Sequence, residues 1–324
     1  MSLYFLRDLK AAIMQDEPVF LPWYVTIEPT SCAIQHLLPS AVTSLASIAP
    51  ERLSLLLAKS DDLALTISDS DKFRCEALPS FKAIVISRRA VELAWAFSYA
   101  YWEIYQVVYA GKQLDGGTVD LQSFPSLAPA LRLLRWAQRG LGGSHEDPWP
   151  TDAPRPTPTR AANSPEHVAD ELALCSIAMY LHHELAHVYA PQTPPLSALE
   201  EERFCDSSAA DWILGDASLS PAVIQKRGLG VAIGMLMLTV RGLGHGNTPD
   251  GVHPPSYERL VAVLHERVPK EQEAVWGMVV GMLALHIGDA GLPNHTIAYD
   301  EFRDAALGYC DHIHTHTAAL QSAA

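Results

Sequence analysis

The sequence predicts an α+β protein that is mainly α-helical, with a small β-containing region near its N-terminus. Short β-branched runs mix with helical segments in the first 120 residues, and the periodicity beyond them is mostly helical. Hydrophobic residues make up 48% of the 324 positions, which excludes a wholly disordered chain and allows a large core.

The net charge and the cysteine content limit which partners and which cellular compartment we expect for this protein. The formal net charge is −14 and the sequence has no Lys/Arg-rich run, so we expect no nucleic-acid partner. The five cysteines form no CxxC pair, and the N-terminus lacks a secretory signal. We therefore expect a cytoplasmic protein without a disulfide framework.

The first 141 residues are predicted to form an α/β region that could bind substrate. Residues 19–27, 63–68 and 83–87 have β-strand composition, and 91–110 have helical spacing rich in aromatic side chains, for which core packing is favoured over a ligand groove. A further helix is expected over 127–139, with Ser126 as its N-cap and stopped by the glycines at 140, 142 and 143.

A proline-rich segment, 142–164, separates this region from a helical region at 165–324, although the two could form one domain. We hypothesise that this loop covers a neighbouring cleft. Two apolar stretches, 228–240 and 274–287, are shorter than the roughly 20 residues that a membrane span requires. We interpret them as core helices and expect no integral membrane insertion.

The helix after the loop carries the first candidate site. Ser164 and Pro165 predict its start and Pro191 its end. Near its C-terminal end the sequence HELAH at 183–187 places two histidines one turn apart on one face, with Glu184 beside them, a spacing that suits zinc. The structural alternative is a histidine-rich helix end stabilised by the helix dipole.

The next helix offers a third zinc ligand. A capping box at Ser197 and Glu200 predicts its start, and Glu202 and Asp206 follow on one face four residues apart. Glu202 could complete a ligand set with His183 and His187, while Asp206 could accept the outer N–H of a ligand histidine. The adjacent Glu201 is expected to be solvated, but a neighbouring glutamate remains an alternative ligand.

A third segment, HPPSYER at 253–259, predicts another helix start with His253 at its mouth and Arg259 about one turn inside. His253 can reach a neighbouring site, or it can be an incidental histidine at a helix start. Near the C-terminus, the alternating histidines at 312, 314 and 316 are interpreted as part of a mobile tail.

The three segments, HExxH, ExxxDxxA and HPPxxxR, resemble the gluzincin zinc metallopeptidases, including the HtpX-type and CAAX-prenyl membrane peptidases. Because the chain is acidic and lacks long membrane spans, it looks closer to the Lit-type phage-exclusion peptidases. These are bacterial cytoplasmic enzymes that cleave a host protein when a phage product is present. The resemblance covers residues 165–268 and leaves the first 140 residues unassigned.

The resemblance implies a zincin-like helical core that binds Zn²⁺ through His183, His187 and Glu202. It implies that Glu184 is the general base, and that Asp206 orients a ligand histidine. His253, oriented by Arg259, would stabilise the oxyanion.

These roles imply a zinc-dependent endopeptidase that acts on a protein or peptide substrate. The resemblance further implies an activating peptide or protein and a role in phage defence. Two alternatives remain: a membrane-associated housekeeping zinc peptidase, and a non-catalytic zinc-stabilised binding or regulatory protein.

Overall fold

A computed structural model of the protein shows a small β-sheet packed against a bundle of helices. The structure describes residues 23–28, 32–60, 62–108, 120–143, 147–190, 196–244, 253–295 and 299–322. Most of these residues are helical, and the strands lie near the N-terminus, so the predicted mainly α-helical α+β class is confirmed.

The described elements follow one another in a simple order. The four strands are β1 Tyr24–Ile27, β2 Ala64–Ser68, β3 Cys75–Leu78 and β4 Ala83–Ser87. The helices of the N-terminal half are α1 Leu38–Ser47, α2 Leu53–Lys59, α3 Arg88–Val108 and α4 Ala128–Leu141. The later helices are α5 Pro165–Val188, α6 Ala198–Leu214, α7 Pro221–Gly244, α8 Ser256–His265, α9 Glu273–Asp289 and α10 Phe302–Ser322.

The sheet has the strand order β1-β2-β4-β3. Strands β1, β2 and β4 are parallel, with Ile27 opposite Ile67 and Ile67 opposite Ile86. The short strand β3 pairs antiparallel with β4, and Ala77 lies opposite Ile84. This arrangement makes β3 an edge strand, and it packs against α5.

Helix α5 is the centre of the bundle, with α1, α3, α6 and α7 packed around it. Its contact with α7 is close, because a Cβ added at Gly230 would lie 2.1 Å from Cβ of Cys175. Two hydroxyls also cross this interface: Ser176 donates to the carbonyl of Gly230 and Tyr180 to that of Gly234, each at 2.6 Å. Such contacts hold α5 rigidly and fix the direction of its C-terminal end.

The predicted core helices at 228–240 and 274–287 lie within α7 and α9. By length and composition, Pro221–Leu243 could cross a membrane, but 72% of its apolar window is buried inside the protein. The bent pair α1 and α2, from Leu38 to Lys59, passes the same test with a 58° bend. The burial of α7 supports its interpretation as a core helix.

Several sequence-based expectations differ from the structure. Strand β1 occupies only the end of the predicted 19–27 strand, whose first four residues lie outside the described ranges, and β3 was not predicted. Ser126 does not cap α4, because a 3-10 turn at Pro125–Leu127 leads directly into the helix. The three histidines near the C-terminus lie on helix α10 rather than in a mobile tail.

Candidate active site

The C-terminal end of α5 presents three polar side chains toward β3, α6 and α8. The helix starts where predicted, because the Ser164 hydroxyl accepts a hydrogen bond from the backbone N–H of His167. His183 and His187 then lie one turn apart, with ring centroids separated by 4.9 Å. Their Nε2 atoms are 3.2 Å apart and face the same space.

Helix α6 brings a carboxylate to the two histidines. Its predicted capping box is confirmed, since the side chains of Ser197 and Glu200 each bond to the other residue's backbone. The helix directs buried Glu202 so that Oε1 lies 3.1 Å from Nε2 of His187, and Oε2 lies 3.5 Å from Nε2 of His183.

This group has the composition and spacing of a three-ligand metal site. One donor atom from each of His183, His187 and Glu202 lies within 4.8 Å of the other two. Tetrahedral zinc holds such ligand atoms at about 2.0–2.1 Å, which places them about 3.3 Å apart. In addition, Oε2 of Glu202 is buried and has no hydrogen-bond partner within the described ranges. The residues present therefore fit a zinc ion.

The outer nitrogen of His183 faces a buried ion pair. Its Nδ1 lies 2.9 Å from Oδ1 of Asp206, whose carboxylate also accepts two hydrogen bonds from Arg259, at 2.7 and 2.8 Å. Burial would raise the pKa of Asp206, but the bonds from His183 and Arg259 lower it to about 2. Asp206 is thus ionised and can hold the Nδ1–H tautomer of His183, which leaves Nε2 free to bind a metal.

Glu201 provides the corresponding contact for the second histidine. Its Oε1 lies 2.9 Å from Nδ1 of His187, although 39% of its side chain is exposed. The expectation that Glu201 is solvated was therefore incomplete. Each of the two histidines therefore has a carboxylate next to its Nδ1, and such a contact raises the basicity of a metal-binding histidine.

Glu184 lies between the histidine pair and the edge strand. Its Oε2 accepts a hydrogen bond from the backbone N–H of Ala77 at 2.7 Å. Burial raises the pKa of Glu184, and the positive fields of His183 and His187 offset part of that rise. A carboxyl group with a raised pKa can exchange protons closer to neutral pH than an exposed glutamate.

The segment before α8 completes the site. His253 lies with Nε2 3.6 Å from Oε1 of Glu202, and 49% of its side chain is exposed. Arg259, expected to orient His253, forms its bidentate pair with Asp206 and also places Nη2 3.5 Å from Oε2 of Glu202. The guanidinium of Arg259 therefore lies against both the Asp206 and the Glu202 carboxylates.

A cleft of about 490 Å³ opens over these residues. Its lining includes the apolar side chains of Phe73, Met179, Met235 and Leu238, and Cys75 at the start of β3. Arg241 lies at the rim, with its guanidinium 5.5 Å from the Phe73 ring centroid. His183, Glu184, Glu202 and His253 also line the cleft.

Two neighbouring groups are not part of the cleft. His182 stacks on Trp212 with ring centroids 5.1 Å apart, and burial lowers its pKa to about 3. Cys205 is fully buried, and burial raises the pKa of its thiol. His245 lies outside the described residues.

The described part of the proline-rich loop lies elsewhere, which contradicts the hypothesis that it covers this cleft. Trp149 packs against Trp95 of α3 and Trp136 of α4, with centroid distances of 5.7 and 4.9 Å. Arg160 pairs with buried Asp170 at 2.5 Å. No residue from 147 to 164 lines the cleft.

Sequence reasoning missed two contacts of the site. The hydrogen bond from Ala77 to Glu184 joins residues 107 positions apart, and no sequence motif marks it. Glu201 stands beside Glu202 in a run of three glutamates, and only the rotation of α6 relative to α5 shows which oxygen meets which histidine. The four-residue spacing on one helix face predicted Glu202 and Asp206 as site residues, but not the third carboxylate, that of Glu201.

The HExxH helix, the acidic helix beside it and the cleft bordered by an edge strand define a peptidase. A family model described as Peptidase U49 matches residues 84–279, more than half of the chain, and the chain belongs to that family. The matched range contains all the predicted site residues, but it begins after β3.

The chain is also similar to the cell death peptidase of Escherichia coli strain K12. The two are 30% identical over 235 residues, which cover 70% of this chain and 79% of the relative. No solved structure matches the chain.

Proposed function

We propose that this protein is a zinc-dependent endopeptidase that cleaves a protein substrate in the bacterial cytoplasm. The observation that carries the proposal is the convergence of His183, His187 and Glu202 at zinc-ligand spacing, with Glu184 beside them. From the resemblance to Lit-type peptidases, and in keeping with the similarity to a cell death peptidase, we further propose a role in phage exclusion in which an activating peptide or protein switches on cleavage.

Zinc, when bound, supplies Lewis acidity: it polarises the scissile carbonyl and makes water a nucleophile near neutral pH. Glu184 would accept the proton of the attacking water at its carboxylate and donate it to the leaving amine nitrogen. The raised pKa of Glu184 suits both transfers, because it brings proton exchange at this carboxyl closer to neutral pH than at an exposed glutamate.

The protein's other side chains would orient these groups. Asp206 and Glu201 would hold the outer nitrogens of His183 and His187, so that both Nε2 atoms face Glu202. His253 stands at the mouth of the site and would donate a hydrogen bond to the oxyanion as it develops.

The edge of β3 is the proposed binding surface for the substrate backbone. An extended peptide can add to a sheet edge through main-chain hydrogen bonds. Because Ala77 donates to Glu184, a peptide at this edge would lie next to the general base. Its side chains would then face the apolar lining of the cleft.

Glu184→Gln tests the catalytic assignment. We expect the variant to keep its fold and zinc content but to lose proteolysis by about 10²–10⁴-fold, since the amide cannot accept the proton of water. The measurement compares new protein N-termini in cells that express wild type, Glu184→Gln or the control Glu271→Gln, which alters an exposed glutamate. Equal cleavage by wild type and Glu184→Gln would contradict the enzyme and favour a zinc-stabilised binding protein.

Liposome flotation distinguishes the cytoplasmic proposal from a membrane-associated peptidase. Insertion of α7 into a bilayer would require it to leave a core in which 72% of its apolar window is buried. We expect the purified protein to remain in the soluble fraction. Flotation with vesicles of bacterial lipids would instead support the membrane-associated alternative.

A further inference from the structure

Helix α4 carries a basic face on an otherwise acidic protein. Arg132, Arg135 and Arg139 are spaced three and four residues apart, so they lie on one side of the helix, and all three are exposed. The helix itself contains no acidic residue. Because the chain has a net charge of −14, this face offers an acidic ligand a local attraction that the whole surface does not.

The basic face borders a groove of about 630 Å³, which shares no lining residue with the cleft beside His183 and Glu184. Its other lining residues are mainly apolar and include Phe124, Pro125, Leu131, Trp136, Pro148 and Pro150. The three arginines and this apolar surface together are called the α4 groove below.

The α4 groove is held in shape by Trp136. The indole Nε1 donates to the backbone carbonyl of Asp147 at 3.1 Å, which fixes the start of the proline-rich wall. The ring packs against Trp149, and the guanidinium of Arg89 lies 4.2 Å from its centroid. A preformed groove avoids part of the ordering cost of binding a peptide.

Two of the arginines already hold carboxylates of this chain. Arg132 donates to Asp152 at 3.1 Å, and Arg139 lies 3.5 Å from Asp147. About half or more of each of these four side chains is exposed, so the pairs are weak and exchangeable. They show that the groove accommodates carboxylates at both ends, with Arg135 between them.

We propose that the α4 groove is a docking site for an extended acidic segment of a protein partner. The seven-residue separation of Arg132 and Arg139 corresponds to about 10 Å along the helix. An extended chain covers that distance in about three residues, so the segment would carry carboxylates at roughly that spacing. Apolar side chains between them would contact Trp136 and Phe124. This inference goes beyond the proposed catalysis and does not depend on it.

The test uses fluorescence anisotropy with the full chain and a labelled 12-residue peptide that has glutamate at every third position. The control peptide has glutamine at those positions. We expect the glutamate peptide to bind more tightly, and we expect added salt to weaken this binding. Arg135→Gln should reduce affinity about fivefold or more, and the change of all three arginines to glutamine should abolish the preference for glutamate.

Two further variants sharpen the test. Asp152→Asn should strengthen peptide binding, because it removes a carboxylate that competes for Arg132. Arg203→Gln, which removes an exposed arginine on α6, should leave affinity unchanged. Equal binding of both peptides, or equal loss in Arg203→Gln and Arg135→Gln, would overturn the proposal. Tighter binding of a single-stranded oligonucleotide than of the glutamate peptide would also overturn it, in favour of a nucleic-acid ligand.

Discussion

Replacing Asp206 by asparagine perturbs the structural support of the proposed zinc site without creating a cavity. Oδ1 of Asp206 lies near both His183 Nδ1 and Arg259 Nη2, while Oδ2 accepts from Arg259 Nε at 2.7 Å. The amide can retain only one acceptor oxygen, so at least one buried N–H would face another donor. Arg259, with only 10% of its side chain exposed, would also lose its closest counter-charge, leaving only Glu202, at 3.5 Å, within the part of the chain that the structure describes.

The size of the expected loss of stability follows from the charges around Asp206. Lowering the pKa of Asp206 from its ordinary value of 3.8 to about 2 corresponds to about 2.5 kcal/mol in favour of the ionised form. Breaking a buried ion pair typically destabilises a protein by about 3–5 kcal/mol. We therefore expect Asp206→Asn to lower the free energy of unfolding by about 2–5 kcal/mol.

Urea unfolding at fixed free zinc measures this change, and a competition assay with a chelating dye measures zinc affinity. We expect affinity to fall about 10–100-fold, since His183 loses its ionised partner. Adding Arg259→Met should recover part of the stability, because no buried charge is left unpaired, but should not restore zinc affinity. A loss of stability below about 1 kcal/mol, with unchanged zinc affinity, would refute this reasoning.

Three other predictions concern stability. Burial lowers the pKa of His286 to about 4, so the unfolded chain takes up this proton first as the pH falls. Neutral His286 contributes stability that is complete above about pH 6.5 and falls by about 3 kcal/mol as the pH drops toward 4. Urea titrations across that pH range should therefore show a smaller loss of stability for His286→Gln than for wild type. Gly230→Ala should destabilise the protein by about 1–3 kcal/mol, because its Cβ would overlap Cys175. In Gly288→Ala, whose Cβ would meet nothing within 4 Å, thermal unfolding should show equal or higher stability.

Local sequence signals predicted much of this structure. The helix start at Ser164, the capping box at Ser197 and the HExxH spacing are each contained within a few residues, and the structure has each element where it was predicted. Strand β3 was missed because its sequence, CEAL, is short and contains residues that are uncommon in strands. Its position depends on pairing with β4.

Contacts between distant elements could not be predicted in this way. The carboxylate of Glu201 behind His187, the Ala77 bond to Glu184 and the position of the proline-rich loop all follow from how helices and strands pack. The motif indicated which residue types meet at the site. The packing of β3, α6 and α8 against α5 determined the orientation of those residues.

Metal content by mass spectrometry tests the central claim most directly. Wild type, purified without a histidine tag, is compared with His187→Ala, Glu202→Ala and, as a control at an exposed glutamate, Glu271→Gln. We predict one zinc per chain in wild type and in Glu271→Gln, and none in the two ligand variants, since each removes one of three converging donors. Absence of zinc from wild type, or full retention in Glu202→Ala, would contradict the account.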